Sequence, residues 1–246
     1  MSPPPKLLLI GLLAALLPVR SAQAQVDALR MIAPTNLAEP LVRFDDGQLR
    51  GGLLKDLGDA LAQQLGLRPL YLSMPSKRVS EALASGQGEL VCYVMPGWID
   101  GELGWSLPVI PNAEVVAARP EAPVLRTIDD LVGQRVGTVL GYRYTHLLAA
   151  GGGLPFLRFD APDTRANLAK LAAGRMAYAV VDELALRDFQ SRQPAAGLKL
   201  ALVLSRYTAQ CALARSSSLG LERLNQALQA LQQDGRLARL LQRYGS

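Results

Sequence analysis

Apolar and polar positions along this chain switch repeatedly between the period of a strand and the period of a helix. Residues 29–34 are a short apolar run that predicts a first strand, and the polar stretch after it holds Asp45-Asp46-Gly47, a turn composition. Leu53, Leu54, Leu57, Leu61 and Leu65 then recur at helical spacing, and Gly66 supplies the stop. A strand at 70–72, a helix over 79–85 and a strand over 89–95 complete a β-α-β-α-β series. Such alternation predicts a parallel sheet with helices on both faces.

Residues 96–123 break that rhythm with prolines at 96, 108, 111, 120 and 123. The run 113–118 inside this stretch is strand-like, so it reads as a crossover and hinge rather than a disordered linker. A second series follows. It comprises a helix at 129–132, a strand at 135–139 and a helix around 145–150 stopped by Gly151-Gly152-Gly153. A strand at 156–159, a helix over 164–173, a strand at 177–181 and a helix near 183–190 continue it. Beyond a loop with Pro194 and Gly197, residues 198–204 and 211–214 read as two separate strands. The chain closes with an amphipathic helix over 219–233, a turn at Asp234-Gly235 and a short helix over 237–244.

One unit occurs twice. Residues 81–94 read EALASGQGELVCYV and residues 169–181 read AKLAAGRMAYAVV: a helix closing on Leu-Ala-(Ser/Ala)-Gly, a short spacer, then a buried strand. Each copy falls late in its own α/β series. The expectation is two similar α/β lobes with a cleft between them.

The N-terminus reads as an export signal over residues 1–24. Lys6 precedes the apolar run 7–17, and Ala22-Gln23-Ala24 has the small residues of a signal-peptidase site. The run is too short to span a bilayer, and no Cys lies near the cleavage point to carry a lipid anchor. A soluble periplasmic product is expected. Without Lys6 and Arg20, 24 basic residues face 21 acidic ones, and the charges are dispersed. That mild balance argues against a nucleic-acid partner and leaves room for a small anionic or zwitterionic ligand. Cys92 and Cys211 are the two cysteines. Export permits a disulfide, yet each lies in an apolar run where a buried free thiol also packs well, so both readings stand. A single His precludes a His/Cys metal cluster, and no cofactor or metal is expected.

In open parallel sheets, ligands sit beyond the carboxyl ends of the strands. That rule selects 34–40, 74–78, 93–100, 140–146 and 181–183. Tyr93 and Trp98 offer aromatic faces there, for a ligand or for hinge packing. Tyr142 and Arg143 follow the strand at 135–139, where a helix start and a guanidinium fork suit an anion; a solvated Arg is the alternative. His146 lies in the same stretch and reads more readily as a surface residue or cap. Asp182, at the end of a buried strand, needs a partner, either a ligand ammonium or an internal cation. Arg78 reads as reaching the cleft, and Lys77 as solvated. Catalytic signatures are missing: there is no G-x-S-x-G, and Gly133, Gly137 and Gly141 fit no phosphate loop.

Five segments in order resemble family-3 solute-binding proteins, the periplasmic amino-acid-binding components of ABC importers. They are Gly52-Leu53-Leu54-Lys55-Asp56-Leu57, the segment 82–91, the segment 128–137, Leu171-Ala172-Ala173-Gly174-Arg175 up to Asp182, and Asp234-Gly235 before the last helix. The resemblance covers nearly all of the mature chain. It implies a two-lobed, type II periplasmic-binding-protein α/β fold, each lobe a mainly parallel sheet flanked by helices, joined by two hinge strands. Lobe one would take 25–112 and 206–246, and lobe two 113–205. Cys92 and Cys211 would then fall on neighbouring strands, which keeps the disulfide reading open.

By the same resemblance, Asp182 matches the acidic residue for a ligand α-amino group. The family's carboxylate-binding Arg should lie near 98–103, where this chain has Trp98-Ile99-Asp100-Gly101-Glu102-Leu103. Either Arg143 supplies that charge from the opposite lobe, the preferred reading, or the ligand is not a standard α-amino acid. The implied function is capture of a small polar, amino-acid-like ligand by a monomer, with delivery to an ABC importer permease. Two other classes fit the fold: an enzyme resembling cyclohexadienyl dehydratases, with Asp182 or Glu183 as acid/base group, and a sensory ligand-binding module.

Overall fold

The computed structural model describes Met1 and residues 28–144, 147–148 and 153–245. The body of the expected export signal, most of the expected helix at 145–150 with Gly151 and Gly152 of its stop, and His146 lie outside the described residues.

The first series builds β1 (Ala28–Pro34), the hairpin β2 (Arg43–Asp45) and β3 (Gln48–Gly51), α1 (Leu53–Leu65), β4 (Arg68–Met74), α2 (Val79–Ala84) and β5 (Leu90–Val94). The hairpin turns on Asp46 and Gly47, both at positive φ, as a two-residue primed turn requires. The Pro-rich stretch contains β6 (Leu103–Trp105) and β7 (Ile110–Ala118). The second series supplies β8 (Arg135–Val139), β9 (Leu157–Ala161), α3 (Thr164–Ala172), β10 (Tyr178–Asp182) and α4 (Glu183–Arg192). β11 (Lys199–Ala214), α5 (Leu221–Gln233) and α6 (Arg236–Arg243) complete the chain. The helix expected at 129–132 is a 3₁₀ turn over Ile128–Leu131, closed by a Thr127/Asp130 capping box.

Strand order is β4-β1-β5-β11-β7-β10-β8-β9, with β6 also on β11. β4, β1 and β5 are parallel in one half, as are β9, β8 and β10 in the other. β7 and β11 pair antiparallel and join the halves. The two strands expected at 198–204 and 211–214 are therefore one. The polar residues between them look like a loop, but they pair with β7 (Tyr207 with Asn112, Thr208 with Pro111), and register shifts absorb the change of partner.

Both faces of each half are covered, which is why β5 and most of β10 are continuous apolar runs rather than alternating ones. In the first half, α1, α5 and α6 cover one face around Leu57, Leu61, Leu224 and Leu228, and α2 covers the other around Val79 and Leu83. In the second half, α3 and α4 cover one face around Leu168 and Leu186, and Leu131 and Phe156 pack on the other.

Gly52 at the entrance to α1 combines two constraints. Its φ is +100°, and a Cβ there would stand 2.6 Å from the Leu41 carbonyl oxygen. Gly52→Ala should cost at least about 2 kcal/mol, from left-handed backbone strain plus the clash. A lowered urea midpoint at unchanged m-value is the expected readout.

Cys92 on β5 and Cys211 on β11 stand opposite one another in register and form a disulfide. Of the two readings open from sequence, the bridge is the one found.

Candidate functional site

A cavity of about 220 Å³ lies between the two halves of the sheet. Each of the five stretches beyond a strand end contributes to its lining: Pro34 and Leu37 after β1, Ser76 and Lys77 after β4, Tyr93 to Asp100 around the end of β5, Gly141 to Tyr144 after β8, and Val181 and Asp182 at the end of β10. Glu114 of β7 and Tyr207 of β11, on the strands that join the halves, line it too.

Tyr93 is the most unusual backbone in the site. It has φ +67° inside β5, at the point where the β5–β11 register slips between Val94↔Gln210 and Cys92↔Cys211. For a bulky residue that conformation costs about 1–3 kcal/mol and persists only where neighbours enforce it. Here the disulfide fixes the preceding residue. The Tyr93 hydroxyl shares a hydrogen bond with that of Tyr207 at 2.8 Å and accepts one from Asn112 Nδ2 at 2.5 Å. The bulge turns the ring toward the cavity. Trp98 completes a cluster with ring centroids 6.4 Å from Tyr93 and 5.1 Å from Tyr207, both edge-on. Across the cavity, Tyr142 and Tyr144 stand 6.2 Å apart.

Asp182 caps α4: its Oδ1 accepts the Ala185 N–H at 2.9 Å. The carboxyl is pushed up to about 6, chiefly by burial and further by the like charge of Glu114, against the lowering effect of its hydrogen bonds. Tyr93, Tyr142 and Tyr207 are held well above the ordinary tyrosine range, first by burial and next by the charge of Asp182. These phenols are neutral at any physiological pH.

Of the residues singled out from sequence, Asp182, Arg143, Tyr142, Trp98 and Tyr93 line this cavity. Arg78 does not. It ends the 3₁₀ turn Ser76–Arg78, where successive side chains diverge by about 120°, so Ser76 and Lys77 face the cavity and Arg78 is exposed. Arg143 grips Asp100 with both terminal guanidinium nitrogens, joining the second half to the first across the mouth. Glu183 lies outside the cavity, paired with Arg187 and Arg206. Sequence reasoning missed Glu114, Thr164 and Tyr207. Glu114 and Tyr207 lie within strands, and nothing in their local sequence sets them apart; Thr164 follows the end of β9 and opens α3, so the strand-end rule applied to β9 would have reached it.

Further contacts bridge the halves. The Thr164 N–H donates to the Asn36 carbonyl at 3.1 Å, and Arg192 pairs with Glu39. Asn36, buried, also accepts from the backbone and hydroxyl of Ser76.

No family model and no curated protein matches the chain. Solved structures do. An ancestral arginine-binding protein bound to arginine superposes with a TM-score of 0.72 at 21% identity, over 89% of this chain and 98% of that one. The amino acid ABC transporter substrate-binding protein AbpA from Streptococcus pneumoniae, bound to L-arginine, gives 0.71 at 18%, over 88% and 94%. The GluR0 ligand-binding core from Nostoc punctiforme with L-glutamate gives 0.72 at 19%, over 88% and 99%. The chain has the fold of the two-lobed periplasmic binding proteins.

In those terms the halves are lobes, β7 and β11 are the strands that pass between them, and the cavity is the interlobe cleft. Asp182 and Tyr142 lie on the wall of one lobe, Tyr93 and Trp98 on that of the other, and Arg143 with Asp100 spans the mouth. Among the described residues no helix is long and apolar enough to cross a membrane.

Proposed function

We propose that this chain is a periplasmic substrate-binding protein. It captures a small polar, amino-acid-like ligand in the interlobe cleft and, as a monomer, delivers it to the membrane permease of an ABC importer. The observation that carries this reading is Asp182, a partly buried carboxyl that lines the cavity between two lobes and is destabilised there until a cation reaches it. The names of the structural neighbours, arginine- and glutamate-bound, support an ammonium-bearing ligand. The disulfide supports an oxidising compartment and so the cleaved signal at 1–24. We assign 25–112 and 206–246 to lobe one and 113–205 to lobe two, with β7 and β11 straddling the boundaries.

Binding favours the closed arrangement because ligand contacts come from both lobes. Calorimetry of the refolded protein against amino acids, organic acids and polyamines tests the reading. Asp182→Ala should abolish the heat of binding. Arg143→Ala should weaken it less than about fivefold, since its partner Asp100 and it are both well exposed at the rim. Tight binding that survives both substitutions would sink the site assignment.

One observation favours an enzyme on the same fold: a carboxyl near 6 in a cavity is also what a general acid/base needs. Turnover of prephenate or arogenate, lost in Asp182→Asn, would replace the binding-protein reading.

A further inference from the structure

The chemistry of the cavity wall is lopsided. Its polar centre is a partly buried carboxyl, Asp182, which lines the cavity, and the charge of that carboxyl is felt by three tyrosines of the wall, Tyr93, Tyr142 and Tyr207. Trp98 packs edge-on against two of the rings that close the other side. Leu37, Ile99 and Val181 add hydrocarbon to the wall, and Ser76, Ser80 and Thr164 add hydroxyls.

A ligand carboxylate finds no comparable seat among the described residues. Two cations line the cavity, Arg143 and Lys77. Both nitrogens of the Arg143 fork are on Asp100, and Lys77 is exposed at the mouth. The other side-chain donors of the wall, its phenol hydroxyls among them, are neutral. The hydroxyls of Tyr93 and Tyr207 bond each other, and Tyr144 accepts the Val139 N–H at 3.0 Å, which leaves neutral O–H donors but no cation on this wall. A carboxylate placed inside would sit near Asp182 and Glu114, two groups of its own sign, with no cation on the inner wall among the described residues.

An ammonium meets the opposite situation. Carboxylate and aromatic faces both attract it, and aromatic faces also accept the alkyl groups around a substituted nitrogen. We propose that the ligand is a small organic ammonium that lacks a carboxylate, its nitrogen on Asp182 and its hydrocarbon against Tyr93, Trp98, Tyr142 and Tyr207. This rests on the binding-protein reading and narrows its ligand class.

The test uses matched pairs that differ by one carboxylate: putrescine against ornithine, tyramine against tyrosine, and choline against glycine betaine. Each is titrated by calorimetry at pH 7.5 into the full mature chain, unfolded and refolded beforehand to strip any carried ligand. At least one amine is expected to bind tenfold or more tighter than its carboxylate-bearing partner. Trp98→Ala should weaken that amine by about three- to thirtyfold, and Trp98→Phe by less. If the amino acids bind more tightly, or the members of every pair bind within tenfold of one another, the ammonium inference is overturned and the binding-protein reading stands. If none of the six compounds binds, the ammonium inference is overturned, and the binding-protein reading falls only if the wider amino-acid and organic-acid titrations are silent too.

Discussion

Asp182→Asn should give a protein that is more stable than the parent at pH 7 and that no longer binds its ligand. Asparagine caps a helix as well as aspartate does, so the hydrogen bond from Ala185 is retained and the substitution removes charge alone. The carboxyl ordinarily titrates near 3.9, and in the folded protein it is pushed up to about 6 by burial. Between those values the folded chain holds a proton that the unfolded chain releases. Stability of the parent therefore falls as pH rises from about 4 to about 6, and the full penalty is present above 6. That penalty is about 2–3 kcal/mol at pH 7. Urea melts of the two proteins should coincide near pH 4 and separate by that amount by pH 7. The same charge is what a ligand cation needs. Its loss should weaken binding by about 2–5 kcal/mol, or at least about thirtyfold. In the parent, ligand affinity should be level above pH 6 and fall roughly tenfold per unit below it, as protons compete for Asp182. A variant that is less stable at pH 7, or that binds normally, would remove Asp182 from the centre of the site.

Removing the Cys92–Cys211 bridge should produce the largest loss of stability available to a conservative change. The bridge closes a separation of 119 residues, so it restricts the unfolded chain strongly, and the expected cost of losing it is about 2–5 kcal/mol. For a chain of this size that lowers Tm by on the order of 10 °C. The Cys92→Ala/Cys211→Ala protein, and the parent under reducing conditions, should show the same shift. The consequence reaches the site. The bridge fixes the residue just before Tyr93, whose left-handed backbone turns its ring toward the cavity. Releasing it should weaken ligand binding as well as the fold. Equal affinity with and without the bridge would mean that the Tyr207 and Asn112 hydrogen bonds hold Tyr93 by themselves.

Much of the fold was legible from periodicity. Leu53 to Leu65 forms α1 over those very residues, and the two Leu-Ala-x-Gly units end helices α2 and α3 before β5 and β10. These elements were readable because each buries a face whose spacing is set by its own geometry. The polar middle of β11 was not, because Tyr207 and Thr208 owe their strand conformation to β7, far away in sequence. Apart from Thr164, the wall residues that follow strands were found by the general rule for open sheets. Glu114 and Tyr207 were missed because they line the cavity from inside strands, and which face of those strands meets the cavity is decided by how two lobes pack.

The sequence by itself determined the alternation of elements, the paired units and the presence of an acidic residue at the end of the second unit's strand, since all three depend on local spacing and residue type. The tertiary structure alone decided that Cys92 and Cys211 are bonded, that Arg143 is committed to Asp100, and that Asp182 faces an aromatic wall. Each of these is a meeting of groups 25 or more residues apart, and the lobes bring them together only when β7 and β11 set both halves in register.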